Sequence, residues 1–134
     1  MSDGRVLDTS ALLDAAAGRT EYLRALIYTL VRRRGSLLIP SSAWLEAWAL
    51  GDDGARVLLE LFSTAKYVVF DVLDVDSGRQ AGLLAAGAHQ KGLGWDVRQA
   101  HVVAAALRTG WPVVTTDPDP LLYIEAAVPI EQLP

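Results

Sequence analysis

Acidic side chains stand where strand-like runs of this 134-residue chain give way to a helix or a turn. The residues concerned are Asp8, Glu46, Asp96, Asp117 and Asp119. Carboxylates that gather in one cleft repel each other, and their burial is unfavourable unless a cation neutralises them. Magnesium is usually held by a few carboxylates and water, which leaves positions open for phosphate oxygens. A cation held in this way can polarise a phosphodiester and activate a water molecule.

The composition restricts the metal and the partners that such a site can take. The chain has no cysteine, which excludes disulfides and thiolate ligands, so a metal must be held by oxygen atoms or by the two histidines. Hard cations such as Mg²⁺ or Mn²⁺ are therefore the natural candidates. The formal net charge of −4 gives no general attraction to nucleic acid, so a nucleic-acid substrate needs a local basic patch or a bridging cation.

We expect neither membrane insertion nor export from the sequence pattern. Its hydrophobic fraction is 51%, yet no uninterrupted apolar run approaches the roughly 18 to 20 residues that cross a bilayer. The N-terminus carries Asp3 and Asp8 and lacks the apolar segment of a signal peptide. We expect one domain spanning residues 1–134, located in the cytoplasm and without a membrane partner.

Strand-like and helix-like segments alternate along the chain. The predicted strands are residues 5–8, 36–40, 66–72, 112–116 and 128–133. The predicted helices are residues 9–18, 20–35, 42–51, 53–65, 76–92, 96–110 and 120–127. The expected helix caps and stops are Thr20, Ser41 or Ser42, Asp76 or Ser77, Asp96, Gly18 and Gly110.

This alternation predicts the fold class and the edge on which a ligand binds. Short strands separated by helices imply a parallel sheet covered on both faces. We predict an α/β fold, a three-layer α/β/α sandwich with a central, mostly parallel sheet of four to five strands. Ligands of such sheets bind beyond the carboxyl ends of the strands. Asp8 ends the first strand, and Asp117 and Asp119 follow the fourth. Glu46 and Asp96 are expected in the first turns of helices that begin at that end or lean over it.

Each of these acids also has a purely structural interpretation. Asp8 and Asp96 are placed to cap helix N-termini, and Glu46 is placed to favour a helix dipole. Asp117 and Asp119 are typical turn formers in the sequence Asp-Pro-Asp-Pro. Only their order along the chain favours a shared site.

That order resembles the PIN domain, the fold of the ribonuclease toxins of VapBC toxin–antitoxin pairs. The stretches that carry the resemblance are "VLDTSALL" (6–13), "IPSSAWLEAW" (39–48), "DVRQAHVVAAAL" (96–107) and "VVTTDPDPL" (113–121). The resemblance covers essentially the whole chain. It departs from the usual toxin pattern at Thr116 and Pro120, where toxins often carry an arginine and an aromatic residue.

The resemblance implies a metal-dependent endoribonuclease with a PIN-like fold. It implies that the catalytic acids are Asp8, Glu46, Asp96 and Asp117. It implies that Mg²⁺ or Mn²⁺ is held by Asp8, Asp96, Asp117 and Asp119, with polar support from Ser10 and Thr115. An activated water would cleave single-stranded or looped RNA and leave a 5′-phosphate and a 3′-hydroxyl. A VapB-like antitoxin is the implied partner. Separately from the resemblance, the two long apolar helices early in the chain favour a homodimer.

Basic and aromatic side chains offer candidate contact surfaces. Arg98 and His101 fall one turn apart, and we expect them on the outer side of the Asp96 helix, near Lys91, where they could contact RNA. An exposed face without a ligand is the alternative. Trp44 and Trp48 share a helix face and either pack in the core or anchor a dimer or an antitoxin.

Two other classes of protein remain open. A receiver-type phosphoacceptor domain also gathers acids at strand ends, and Asp71 and Thr115 would suit it. That fold requires adjacent acids after its first strand and a lysine after its fifth, which this sequence lacks. A PIN-fold binding or regulatory module with weak or no catalysis would carry the same acids as a nuclease.

Overall fold

The fold is built on a five-stranded sheet, seen in a computed structural model that describes residues 3–134. The strands are β1 (Gly4–Leu7), β2 (Ser36–Pro40), β3 (Val68–Asp71), β4 (Val113–Thr115) and β5 (Ile130–Gln132). The helices are α1 (Thr9–Ala17), α2 (Glu21–Arg32), α3 (Ser41–Leu50), α4 (Asp53–Ser63), α5 (Val75–Gln90), α6 (Val97–Thr109) and α7 (Asp119–Ile124). Within residues 3–134, no helix combines the length and the apolar character that a membrane span needs.

The strands lie in the order β3-β2-β1-β4-β5, and every neighbouring pair is parallel. In the central strand, Val6 pairs with Leu38 on one side and with Val113 on the other. Successive residues of a strand point to opposite faces of the sheet, and Val6 and Leu7 are both fully buried, so both faces are covered. The predicted α/β/α sandwich is confirmed, and all five strands are parallel. A receiver-type fold is excluded because its strand order is 2-1-3-4-5.

Helix α6 is the element packed most deeply against the sheet. All seven residues from 100 to 106 are buried, and α6 contacts α3, α5, α7 and three of the strands. Four of these seven residues are alanines, whose small side chains let neighbouring backbones approach closely. Because α6 contacts both α3 and β1, side chains on its first turns can reach the carboxyl edge of the central strand.

Several helix ends lie where the sequence predicted them. Thr20 caps α2 through its side chain, and Asp96 caps α6. Gly18 ends α1 and Gly110 ends α6, and both adopt the left-handed conformation that glycine tolerates best. The Trp44 ring packs edge-on against Phe70 with the centroids 5.1 Å apart, which supports the core interpretation of that residue.

The predicted caps of α3 and α5 are wrong. Helix α3 begins directly after β2 with Pro40 at its cap position, so Ser41 and Ser42 lie inside the first turn. Helix α5 is capped by Asp74, whose carboxylate accepts a hydrogen bond from the Ser77 amide at 2.9 Å. Ser77 Oγ in turn accepts from the Asp74 amide at 2.8 Å, which makes Ser77 the third helical residue of a capping box. The last helix is also shorter than predicted and ends at Ile124.

A glycine at the start of β1 makes room for a tryptophan ring. A Cβ atom added at Gly4 would lie 2.3 Å from Trp111, whereas one added at Gly82, on the exposed side of α5, meets nothing within 4 Å. We expect Gly4→Ala to lower the free energy of unfolding by about 1–3 kcal/mol through overpacking. Gly82→Ala should raise it by about 0.5–1 kcal/mol because alanine is the better helix former. Urea denaturation measures both, and equal effects of the two substitutions would contradict this packing.

Candidate active site

The candidate site lies where the chain connectivity reverses direction across the sheet. β1 has β2 on one side and β4 on the other, so the carboxyl ends of β1 and β4 flank the crevice at which α/β sheets bind ligands. A cavity of about 240 Å³ opens there. Its polar lining consists of Asp8, Thr9, Ser10, Glu46, Arg98, Gln99, Thr115 and Asp117.

Asp8 is a nearly buried carboxylate at the end of the central strand. It caps α1, with Oδ1 accepting a hydrogen bond from the Thr9 amide at 2.7 Å. The same oxygen accepts from Arg98 Nη1 at 2.6 Å, and Oδ2 accepts from Thr115 Oγ1 at 3.2 Å. Only 3% of the residue is exposed, so these donors replace the water that an ionised carboxylate requires.

Two hydroxyl groups connect the loop after β4 to helix α1. Ser10 Oγ lies 3.2 Å from Thr115 Oγ1 and accepts a hydrogen bond from the Thr116 amide at 3.0 Å. Thr115 Oγ1 also accepts from the Asp117 amide at 3.2 Å. The turn therefore holds the exposed Asp117 at the cavity while Thr115 remains buried beside Asp8. These contacts agree with the supporting positions expected of Ser10 and Thr115.

Arg98 lies inside the cavity, so its predicted position on the outer side of α6 is wrong. Its Nη1 bonds Asp8, and its Nε lies 3.6 Å from Glu46 Oε1. The side chain is 19% exposed. Burial alone lowers the pKa of Arg98, but the charges of Asp8, Glu46 and Asp96 and the hydrogen bond to Asp8 outweigh burial and raise the pKa above its ordinary value.

The other predicted acids divide between the cavity and the surface. Glu46 lies in the second turn of α3, not the first, and lines the cavity. Asp96 is exposed at the head of α6, where its carboxylate accepts from the Gln99 amide at 2.7 Å in a capping box. Asp119 is exposed in the first turn of α7 and, like Asp96, lies outside the cavity lining. Lys91 is an exposed residue at the end of α5.

The donor set of the cavity suits a hard divalent cation. Asp8, Glu46 and Asp117 supply carboxylate oxygens, and these three acids with one guanidinium leave a formal excess of two negative charges. Such ligands are the ones that Mg²⁺ and Mn²⁺ prefer. In the part of the chain from residue 3 onward, however, no three Asp, Glu or His side chains converge as a ready metal cluster. Asp8 and Glu46 instead face Arg98.

His101 is fully buried, so its expected contact with RNA is wrong. Its Nδ1 is hydrogen-bonded to Ser42 Oγ at 2.7 Å and its Nε2 to Asp71 Oδ2 at 2.9 Å. Arg108 donates to Asp71 Oδ1 at 2.5 Å, so Ser42, His101, Asp71 and Arg108 form one hydrogen-bonded network. His101 lies within the apolar run "AHVVAAAL", and that local context was the available signal of its burial.

The buried histidine joins the two helices that carry charged groups into the cavity. Ser42 lies one turn before Glu46 on α3, and His101 lies about one turn after Arg98 on α6. Their hydrogen bond therefore fixes α3 against α6 near the point where Glu46 faces Arg98. Asp71, at the end of β3, bonds the same histidine and so connects the contact between α3 and α6 to the sheet.

Solved structures of other proteins share the fold of this chain. No protein-family model and no curated protein sequence matches the chain. Among solved structures, a chain of VapBC2 from Rickettsia felis matches with a TM-score of 0.77 at 14% identity, over 98% of this chain and 99% of that one. VapBC from Salmonella typhimurium matches at 0.76 and 19%, over 98% of each chain.

A third solved structure belongs to VapC20 of Mycobacterium tuberculosis, described as a sarcin-ricin loop cleaving toxin. It matches with a TM-score of 0.70 at 13% identity, over 96% of this chain and 99% of that one. The protein therefore has the PIN-like fold of VapC toxins. At these identities the likeness establishes the scaffold, and the chemistry of this chain has to be argued from its own residues.

The two histidines of the chain provide a matched test of the buried network. We expect His101→Ala to lower the free energy of unfolding by about 2–4 kcal/mol, because it opens a cavity at a fully buried position and removes the hydrogen bonds to the partly buried Ser42 and Asp71. His89→Ala, at an exposed position near the end of α5, should leave stability unchanged. Denaturant titration followed by circular dichroism distinguishes the two. A His101→Ala variant as stable as the His89→Ala variant would contradict a stabilising role for the hydrogen-bonded network of His101.

Proposed function

We propose that the protein is a divalent-metal-dependent endoribonuclease that hydrolyses RNA phosphodiester bonds, and that it is the cytoplasmic toxin of a type II toxin–antitoxin pair. The observation that carries this proposal is that Asp8, Glu46 and Asp117 all line one cavity at the switch point of the sheet. The likeness to VapC20, a sarcin-ricin loop cleaving toxin, supports RNA as the substrate.

In this proposal, Asp8 and Asp117 would hold Mg²⁺ or Mn²⁺ in the cavity. Asp96, whose charge acts on Arg98, and Asp119, in the first turn of α7, would complete the ligand set from outside the cavity lining. When bound, the cation supplies positive charge that activates water and stabilises the charge developing on the phosphate. A carboxylate of the cavity, Asp8, Glu46 or Asp117, would accept the proton of the attacking water. The products carry a 5′-phosphate and a 3′-hydroxyl.

The protein's own residues also position the reacting groups. Thr115 and Ser10 hold the loop that presents Asp117, and Thr115 orients Asp8 through Oδ2. The remaining negative charge of the cavity repels a bare phosphate, so substrate enters together with a cation. Lys91, exposed at the end of α5, and Arg98, within the cavity, are the cationic side chains proposed to meet RNA.

RNA cleavage with and without metal tests the proposed reaction. We expect cleavage of single-stranded or looped RNA in Mg²⁺ or Mn²⁺ and none in excess chelator. Asp8→Asn, Asp117→Asn and Asp96→Asn should each reduce the rate by about 100-fold or more, because a charged oxygen of the site is lost. Asparagine can still cap a helix, so the Asp96 variant is expected to fold. Asp8→Asn also leaves Arg98 without its ionic partner, so its rate is compared only when its circular dichroism matches that of the unchanged protein.

Glu60→Gln is the matched control, because Glu60 is an exposed carboxylate on α4 away from the cavity. Its cleavage rate should equal that of the unchanged protein. Full activity in chelator would rule out the metal, and full activity in Asp96→Asn would remove that residue from the reaction. Circular dichroism of every variant separates lost chemistry from lost folding.

One observation favours a second candidate function, a PIN-fold binding or regulatory module with weak or no catalysis. Arg98 already neutralises Asp8, the most buried acid of the cavity. A module of this kind would bind RNA in a filter-binding assay but leave it intact in Mn²⁺. Binding without cleavage would therefore favour the module over the nuclease.

We also propose a VapB-like antitoxin and a second copy of the chain as partners. The antitoxin is supported by the VapBC complexes with the same fold and by an apolar cavity of about 290 Å³ between α1 and α4. Leu61 lines this cavity and is 64% exposed. Self-association rests on the two long apolar helices early in the chain alone.

Coexpression with the product of a short adjacent reading frame tests the antitoxin. We expect the two chains to copurify, and Leu61→Asp to abolish the complex by placing a charge in the apolar cavity. Leu83→Asp, on the exposed face of α5, should leave the complex intact. Sedimentation of the chain alone should give twice its monomer mass, and a monomer would contradict the dimer.

A further inference from the structure

The acidic cavity contains a positive charge that belongs to the chain itself. Arg98 reaches in from α6, with Nη1 2.6 Å from Asp8 Oδ1 and Nε 3.6 Å from Glu46 Oε1. The Asp8 side chain is 5% exposed and that of Arg98 is 19% exposed, so solvent screens this ion pair less than a surface pair. The guanidinium thus lies between two of the three acids that line the cavity.

We infer that Arg98 is a built-in counter-ion that competes with a divalent metal for Asp8 and Glu46, so that metal binding requires displacement of the guanidinium. This inference rests on the proposed metal site and adds its regulation. In the absence of metal, Arg98 offsets one of the three negative charges of the cavity, and the strength of its contacts sets the metal concentration at which the site loads.

Competition follows from the atoms that Asp8 has available. Its Oδ1 accepts from both the Thr9 amide and Arg98, and its Oδ2 accepts from Thr115. A cation that bonds Asp8 Oδ1 must take the place of one of these donors. The Thr9 amide is fixed in the first turn of α1, whereas Arg98 is a flexible side chain. A metal placed beside an undisplaced guanidinium would also meet direct charge repulsion.

The contacts of Arg98 are asymmetric, which makes displacement feasible. One close hydrogen bond joins it to Asp8, while Glu46 lies beyond hydrogen-bond distance. The buried Nε has no hydrogen-bond partner among the residues described. Deprotonation offers no other route of release, because an arginine side chain stays protonated in proteins.

Direct metal binding tests the inference without reference to activity. Mn²⁺ is titrated into the unchanged protein and into Arg98→Gln, Arg98→Met and Arg98→Lys, and free Mn²⁺ is read from its paramagnetic resonance signal. We expect the Gln and Met variants to bind Mn²⁺ about tenfold or more tightly than the unchanged protein, because one competing charge is gone. Arg98→Lys keeps the charge and should remain close to the unchanged protein.

Arg79→Gln is the matched control, since Arg79 is an exposed arginine that pairs with Asp76 on α5 at 3.0 Å. Its Mn²⁺ affinity should not change. Equal affinity in the unchanged protein and in the Gln and Met variants would overturn the competition while leaving the metal site standing. Weaker binding in those variants would also overturn it and make Arg98 a support of the metal. Binding by none of the proteins would instead defeat the proposed metal site.

Loss of Arg98 leaves Asp8 without its neutralising partner, so a variant could unfold in the absence of metal. Refolding in the presence of Mn²⁺ then tests the inference. Refolding of Arg98→Gln or Arg98→Met at Mn²⁺ concentrations that leave the unchanged protein metal-free would support the inference. Failure of both variants to refold at any Mn²⁺ concentration that loads the unchanged protein would overturn it.

Discussion

The structure depends on one buried carboxylate, Asp8, at the end of the central strand. Because β1 has a neighbour on each side and helices over both faces, its carboxyl end is shielded from water, and only 3% of Asp8 is exposed. An ionised group in that position has to be hydrogen-bonded and neutralised from within the protein. Thr9 and Thr115 provide hydrogen bonds and Arg98 provides the charge. The position of one side chain thus constrains α1, the end of β4 and α6 together.

The requirement that Arg98 reach Asp8 explains the packing of α6. Its alanines allow close contact with the sheet and with α3, and the buried His101 fixes that contact by bonding both Ser42 and Asp71. The hydrogen-bonded network therefore supports the cavity structurally, although none of its members lines the cavity. Those members are Ser42, His101, Asp71 and Arg108. A network of buried polar groups is rigid only when every member is satisfied, so the contacts of α3, α6 and β3 are expected to form together.

Local patterns predicted the elements of this fold better than the directions of their side chains. Alternating strands and helices, Thr20 as a cap and Gly110 as a stop are read from a few neighbouring residues, and the structure agrees. The sides of α6 could not be predicted in the same way, because almost its whole circumference is buried and its alanines give little contrast between faces. Arg98 and His101 were therefore misplaced. Their true partners lie 30 to 90 positions away in the sequence, and only the tertiary fold brings them together.

A shared fold does not determine which charged side chains face each other in the cavity. Identities of 13–19% to solved VapC-type structures suffice for a shared fold, since a fold depends on hydrophobic pattern and connectivity. Whether the acids of that crevice face a metal or a guanidinium depends on a single side chain on a neighbouring helix. Asp8 and Glu46 would be present in the sequence in either case. An intact set of acids therefore does not by itself distinguish a site that binds metal from one in which an arginine pairs with the acids. In this chain the distinguishing residue is Arg98, two positions after the acid that caps its helix.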